Sequence, residues 1–166
     1  MPINAVRAKI VMAGAPEVGK SSLVRRFVDN VFSDGLASTI GVKVDRKTVS
    51  VGASMVTMLL WDLHGETDGL DVPDHYLKGA GGALVVFDAS RPETIPKAIE
   101  MFGRIQTLSP RAAIRFVANK SDLQPDWAAI DLALVDIEHA GLIRTSALTG
   151  ESVEAAFNAL ASALVG

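Results

Sequence analysis

No cysteine occurs anywhere in the 166 residues. That removes disulfides, thiolate metal sites and thiol catalysis, and with them S-palmitoylation and C-terminal prenylation. Positive charge is not in excess either: 16 Lys and Arg against 19 Asp and Glu leave a net charge of -3. The basic residues are scattered, and only Arg25-Arg26 and Arg46-Lys47 are adjacent. Such a balance offers no electrostatic footprint for nucleic acid or an anionic membrane. Long apolar runs are missing too, since the uncharged stretch from Gly79 to Phe87 is far too short to cross a bilayer. Pro2 stands where N-myristoylation needs glycine, and the segment holding Arg7 and Lys9 lacks the apolar core of a signal peptide. The expectation is a cytoplasmic protein with no direct membrane anchor and no nucleic-acid partner.

A hydrophobic content of 49% with 21% charged residues is that of a globular chain, and the length suits one domain over residues 1–166. Apolar segments alternate with helical ones, which predicts an α/β fold with a mostly parallel sheet covered on both faces. The predicted strands are 6–12, 42–50, 54–61, 83–88, 113–118 and 142–145. Those over 42–50 and 54–61, joined by Val51-Gly52-Ala53, form an antiparallel hairpin. The predicted helices are 20–28, a short one near 70–77, 92–108, roughly 129–139, and 151–165. Pro96 requires the third to start late or open with a distorted turn. Val153, Ala156, Phe157, Leu160 and Leu164 give the last helix one apolar stripe.

Between the first strand and first helix, Gly14 and Gly19 bracket four residues and lead into Lys20-Ser21, a G-x-x-x-x-G-K-[ST] phosphate loop. Glycines let the backbone turn tightly, so that N–H groups from Glu17 to Ser22 converge on phosphate oxygens. The helix that follows aims its positive end at the same anion. Lys20 reaches the β/γ-phosphates, and the Ser21 hydroxyl is a ligand for Mg²⁺.

Further motifs follow the later strands. Asp62-Leu63-His64-Gly65 is a D-x-x-G: its carboxylate suits Mg²⁺ through water, and the Gly65 N–H suits a γ-phosphate. In Asn119-Lys120-Ser121-Asp122, the Asp122 carboxylate accepts N–H bonds and donates none, which matches the N1–H and 2-amino edge of guanine. Adenine would leave that carboxylate unpaired. Asn119 braces neighbouring loops, and the Lys120 stem can lie over the base. Thr145-Ser146-Ala147 offers N–H groups toward a base carbonyl, and Thr39, in Thr39-Ile40-Gly41, offers a hydroxyl to complete the Mg²⁺ shell.

The order of these motifs resembles the Ras superfamily of small GTPases over essentially the whole chain. Local wording leans to the Rab branch: Asp29-Asn30 with Phe32, Ser38-Thr39-Ile40-Gly41-Val42, Trp61-Asp62, and Thr149-Gly150-Glu151. The resemblance implies a Ras-like P-loop NTPase (G) domain, six strands with about five helices, binding GTP and GDP with Mg²⁺ as a monomer. It also implies that Phe32 packs edge-on to guanine and that segments 33–41 and 62–77 are switches read by effectors, an activating protein and an exchange factor.

The chain departs from that pattern in places. Glu66 stands where relatives place the glutamine that positions water; a carboxylate only accepts and repels the phosphate. Near enough, it could still orient or deprotonate water, so that hydrolysis is retained, slowed or made partner-dependent. Pro16 removes one N–H from the cradle, and His64 occupies a place usually small, where it is read as facing solvent. The second switch is acidic at Glu66, Asp68, Asp71 and Asp74, with Gly69 in place of an aromatic residue. No arginine lies between Phe27 and Ile40, so no arginine finger is supplied in cis from there, and slow intrinsic hydrolysis is expected. The catalytic set is then Lys20, Gly65 and Glu66. The alternative is a non-hydrolysing, GTP-dependent interaction module. The residues end at Leu164-Val165-Gly166 without a cysteine-tipped tail. The expectation is a prokaryotic-type protein reaching membranes through partners, the other possibility being a truncated chain.

Overall fold

The computed structural model describes residues 4–30, 43–63, 72–139 and 141–166. Six strands, β1 (Asn4–Ala13), β2 (Lys43–Val51), β3 (Ser54–Asp62), β4 (Gly82–Asp88), β5 (Ala113–Asn119) and β6 (Leu142–Arg144), form one sheet in the order β2-β3-β1-β4-β5-β6. Only β2 is antiparallel to its neighbour, with Val51 paired to Ser54 across a two-residue turn. The helices are α1 (Lys20–Asp29), α2 (Asp74–Leu77), α3 (Ile95–Leu108), α4 (Trp127–Leu134) and α5 (Val153–Val165).

A period-two pattern on the central strands divides the core. Ile10, Met12, Leu84, Val86 and Val117 face a layer built from α1 and α5. Val11, Ala13, Val85, Phe87 and Phe116 face α3 and α4. All seven residues of β4 are buried, as a strand covered on both faces requires. Each large side chain so buried contributes about 1.5–3 kcal/mol. Phe27 of α1 stacks on Phe157 of α5 with ring centroids 4.1 Å apart, which locks these helices together. At the open edge, β2 exposes every second residue and carries Lys43, Arg46 and Lys47, charges that discourage pairing with a further strand.

Local sequence explains where element ends differ from the pattern. The third helix opens with a 3₁₀ turn at Pro92–Thr94, and Pro96 then sits in the first turn of α3, where its missing N–H costs nothing. The fourth helix, expected over 129–139, starts two residues earlier and ends at Leu134. Asp126 caps it, its carboxylate accepting from the Ala129 N–H at 3.1 Å. Beyond Leu134 the chain tightens into i→i+3 bonds, from Val135 N–H to Leu132 and from Ile137 N–H to Leu134. The Arg144 guanidinium lies 4.0 Å from the Trp127 ring centroid and holds the start of α4 against β6. The helix expected near 70–77 is a single turn over 74–77, and residues 70–71 lie outside the described residues.

The parallel register matters most for the site. Met12 pairs with Asp62, Ala13 with Val85, and Asp88 with Asn119. The carboxyl ends of β1, β3, β4 and β5 therefore lie along one edge of the sheet, where open α/β folds bind their ligands.

Candidate functional site

At that edge β1 runs straight into the 14–19 loop, and the two bracketing glycines are sterically required. A Cβ on Gly14 (φ 145°) would stand 2.1 Å from the Val86 carbonyl oxygen. One on Gly19 (φ 105°) would stand 2.2 Å from the Asn119 Nδ2. The loop is thus wedged between β4 and the end of β5. Lys20, the first residue of α1, is 5% exposed. Its ammonium turns back and donates to the Gly14 carbonyl at 2.7 Å and the Ala15 carbonyl at 3.0 Å. Gly19, the N-cap of α1, brings no side-chain hydrogen bond, and the first turn holds no acidic residue. A buried cation thus sits beside an uncapped helix N-terminus, which is chemistry suited to an anion.

Ser21, one residue on, donates from its hydroxyl to the Asp62 carboxylate at the end of β3. Asp62 is 1% exposed. A hydroxyl and a carboxylate brought into contact are hard oxygen donors of the kind Mg²⁺ takes, alongside waters and phosphate oxygens. The residues present therefore fit both a polyphosphate and its metal.

On the other side of the loop, Asn119 is buried and ties three segments together. Its Nδ2 donates to the Val18 carbonyl at 3.0 Å. Its Oδ1 accepts from the Thr145 hydroxyl at 3.0 Å and the Ala147 N–H at 3.3 Å. Lys120, in a left-handed conformation (φ 65°), reaches over the loop to the Glu17 carbonyl at 3.0 Å. Asp122 is exposed and anchored through one oxygen, which accepts from the Ser146 hydroxyl at 2.7 Å. The amides of 145–147 each have a partner within the chain. Thr145 donates to Ala118, Ser146 to Glu151, and Ala147 to Asn119.

The Ras family model matches residues 9–165. The chain belongs to the Ras family. It is similar to the Ras-related protein Rab-4B of Rattus norvegicus, 34% identical over 153 residues that cover 90% of this chain and 72% of that protein. Rab-11B of Dictyostelium discoideum is 35% identical over 158 residues, 92% of this chain and 71% of its own length. Rab11D of Lotus japonicus is 34% identical over 154 residues, with 90% and 70% covered. The chain is a Rab-like small GTPase with a P-loop, and the six-stranded sheet with its five helices is the G-domain fold. No helix among the described residues is long and apolar enough to cross a membrane.

Several expected site residues of this GTPase, namely Phe32, Thr39, Gly65 and Glu66, lie outside the described residues, as do His64, segment 33–41 and most of 62–77. Two side chains that sequence reasoning passed over belong to the site's frame. Arg26 of α1 donates to the Ala147 carbonyl at 2.9 Å and the Leu148 carbonyl at 2.6 Å, joining α1 to the 145–150 loop. Asp88, at the end of β4, is 1% exposed and pairs with Arg91 at 2.9 Å and Lys120 at 3.0 Å. Burial pushes its carboxyl up, but hydrogen bonds from Ser90, Arg91 and Lys120 outweigh this and bring it down to about 2. A signal for Asp88 was present in Asp88-Ala89-Ser90, where the carboxylate caps a turn through the Ser90 N–H at 2.9 Å.

Proposed function

We propose that this Ras-family GTPase is a guanine-nucleotide switch that holds GDP or GTP with Mg²⁺ and hydrolyses GTP slowly. The observation that carries the reading is the Asn119 side chain, hydrogen bonded at once to the phosphate loop and to the 145–147 loop. It couples the phosphate end of the pocket to the base end. Lys20 and the backbone of residues 14–20 would hold phosphates, and Glu17, Val18, Gly19, Ser21 and Ser22 supply N–H groups. Asp122 would accept from the guanine edge while Ser146 fixes its orientation. The Ala147 N–H, whose bond to Asn119 is long at 3.3 Å, is the amide a base oxygen would compete for.

Ser21, with Thr39 from the first switch, would ligate Mg²⁺ directly, and Asp62 would act through water. Bound there, the metal would supply positive charge against the negative charge of the phosphates. Lys20 adds charge that is already in place before the phosphate arrives, and Gly65 would donate its N–H to the γ-phosphate. Attack by water in line with the leaving oxygen then depends on positioning rather than on covalent help. Glu66, in place of a glutamine, supports a slow rate and leaves turnover dependent on a partner protein. Effectors, an activating protein and an exchange factor would read residues 33–41 and 62–77.

The same Glu66 favours one alternative, a GTP-dependent interaction module that does not hydrolyse. Single-turnover cleavage of radiolabelled GTP separates the two. Slow cleavage that speeds up in Glu66→Gln is expected. Tight GTP binding with no cleavage in either protein would favour the module, and rapid cleavage by the unaided chain would contradict both.

A further inference from the structure

Asp88 has no place among the groups assigned to phosphate, metal or base, yet its carboxylate collects four donors. These are the Ser90 N–H at 2.9 Å, the Ser90 hydroxyl at 2.6 Å, Arg91 Nε at 2.9 Å and Lys120 Nζ at 3.0 Å. Both cations make a second bond, and to the same atom. The Glu17 carbonyl oxygen accepts from Lys120 Nζ at 3.0 Å and from Arg91 Nη2 at 3.3 Å. Glu17 crowns the phosphate loop in a left-handed conformation, φ 65°. A residue with a Cβ adopts that shape at a cost and keeps it only where its surroundings impose it.

The direction of this grip has a consequence for binding. Among the described residues no peptide bond is cis, so the Glu17 carbonyl and the Val18 N–H lie in one rigid plane and point in opposite directions. Two cations that draw the carbonyl outward turn the Val18 N–H the other way, which on the reading above is the side of the phosphate. The next peptide is held similarly, because Asn119 draws on the Val18 carbonyl and so orients the Gly19 N–H. Arg91 is paired to Asp88 through Nε and to Glu17 through Nη2, a two-point geometry that fits a guanidinium and not an ammonium.

We propose that Asp88 and Arg91, acting with Lys120 on the Glu17 carbonyl, are positioning residues that keep the phosphate loop in its binding shape and so set how long a nucleotide stays bound. This rests on the nucleotide-binding reading above. Arg91 touches the loop from the surface side, with its side chain 39% exposed, so it can be changed without opening the core.

The test is release of N-methylanthraniloyl-GDP from the Mg²⁺-replete full chain into excess GDP. Arg91→Gln is expected to release roughly tenfold faster, the scale of one lost charge-assisted hydrogen bond, while association stays within about twofold. In ¹⁵N-labelled GDP-bound protein the Val18 amide resonance moves and the Gly19 amide stays. The melting temperature of the nucleotide-free protein falls only slightly, because Ser90 and Lys120 still hold the Asp88 carboxylate. Arg91→Lys restores little, because one ammonium cannot span both partners. Asp88→Asn acts in the same direction and is not additive with Arg91→Gln. Arg91→Gln carries the test even if Asp88→Asn does not fold. Release within about twofold of the natural chain, with the Val18 amide in place, overturns the proposal. So does faster release matched by a lower melting temperature with no Val18 shift, which would mean general loosening. A natural chain that never binds the labelled GDP fails earlier, at the nucleotide reading, and the clamp falls with it.

Discussion

The hydroxyl of Ser21, in the first turn of α1, donates to the carboxylate of Asp62, the last residue of β3. The two residues are 41 apart in sequence, and the pairing of β1 with β3 brings them together. If these oxygens serve Mg²⁺, Ser21→Ala weakens metal binding by roughly 10- to 100-fold or more, since even outer partners of a metal are worth that much. Nucleotide release from the natural chain accelerates strongly when EDTA is added, and release from Ser21→Ala changes far less. Equal acceleration in both proteins would remove Ser21 from the metal site.

Asn119 presents the opposite case, a side chain whose loss harms stability and binding together. Asn119→Ala leaves the Val18 carbonyl, the Thr145 hydroxyl and the Ala147 N–H short of one partner each. Unsatisfied buried groups cost about 1–3 kcal/mol apiece, and partial relaxation brings the expected loss to about 3 kcal/mol. Urea unfolding of the nucleotide-free protein measures it. An unchanged midpoint would show that the loops are held by other means.

At Asp122 the expected effect is on base choice. Asp122→Asn replaces an acceptor-only group with one that also donates, which mismatches guanine and suits xanthine. Affinity for GTP should fall by at least about 100-fold while affinity for XTP rises. An unchanged preference for GTP would mean that another residue reads the base.

The Asp88 carboxyl, held down to about 2 when folded, makes a prediction about acid. Its usual value is 3.8, so the folded state binds this proton less readily than the unfolded chain. The stabilisation is complete above the unfolded value and is lost as pH falls from about 4 toward 2, on the order of 2 kcal/mol in all. Stability measured by urea across that range should decline more gently in Asp88→Asn. Parallel declines would show that Asp88 contributes nothing to acid sensitivity.

What could be read in advance follows from how local each feature is. The phosphate loop spells its own mechanism in consecutive residues, and β4, apolar throughout, announces a strand covered on both sides. The start of α4 was displaced because its cap, Asp126, precedes an aromatic residue that belongs to the helix. Helical periodicity continuing past Leu134 concealed the stop. The Thr145–Ala147 amides show a different limit: their place after the sixth strand suggests a role at the site, but only the folded chain shows which carbonyl or amide oxygen each N–H meets. The cluster of Glu17, Asp88, Arg91 and Lys120 was invisible for a similar reason. The pairing of Asp88 with Asn119 across neighbouring strands assembles it, and nothing in the spacing of those residues foretells it.

The most direct test is calorimetric titration of the nucleotide-stripped, Mg²⁺-replete protein with GDP and, separately, ADP. Binding of one GDP per chain with no heat from ADP is the expected result. Silence toward GDP, or equal binding of ADP, would contradict the assignment of this pocket to guanine nucleotides.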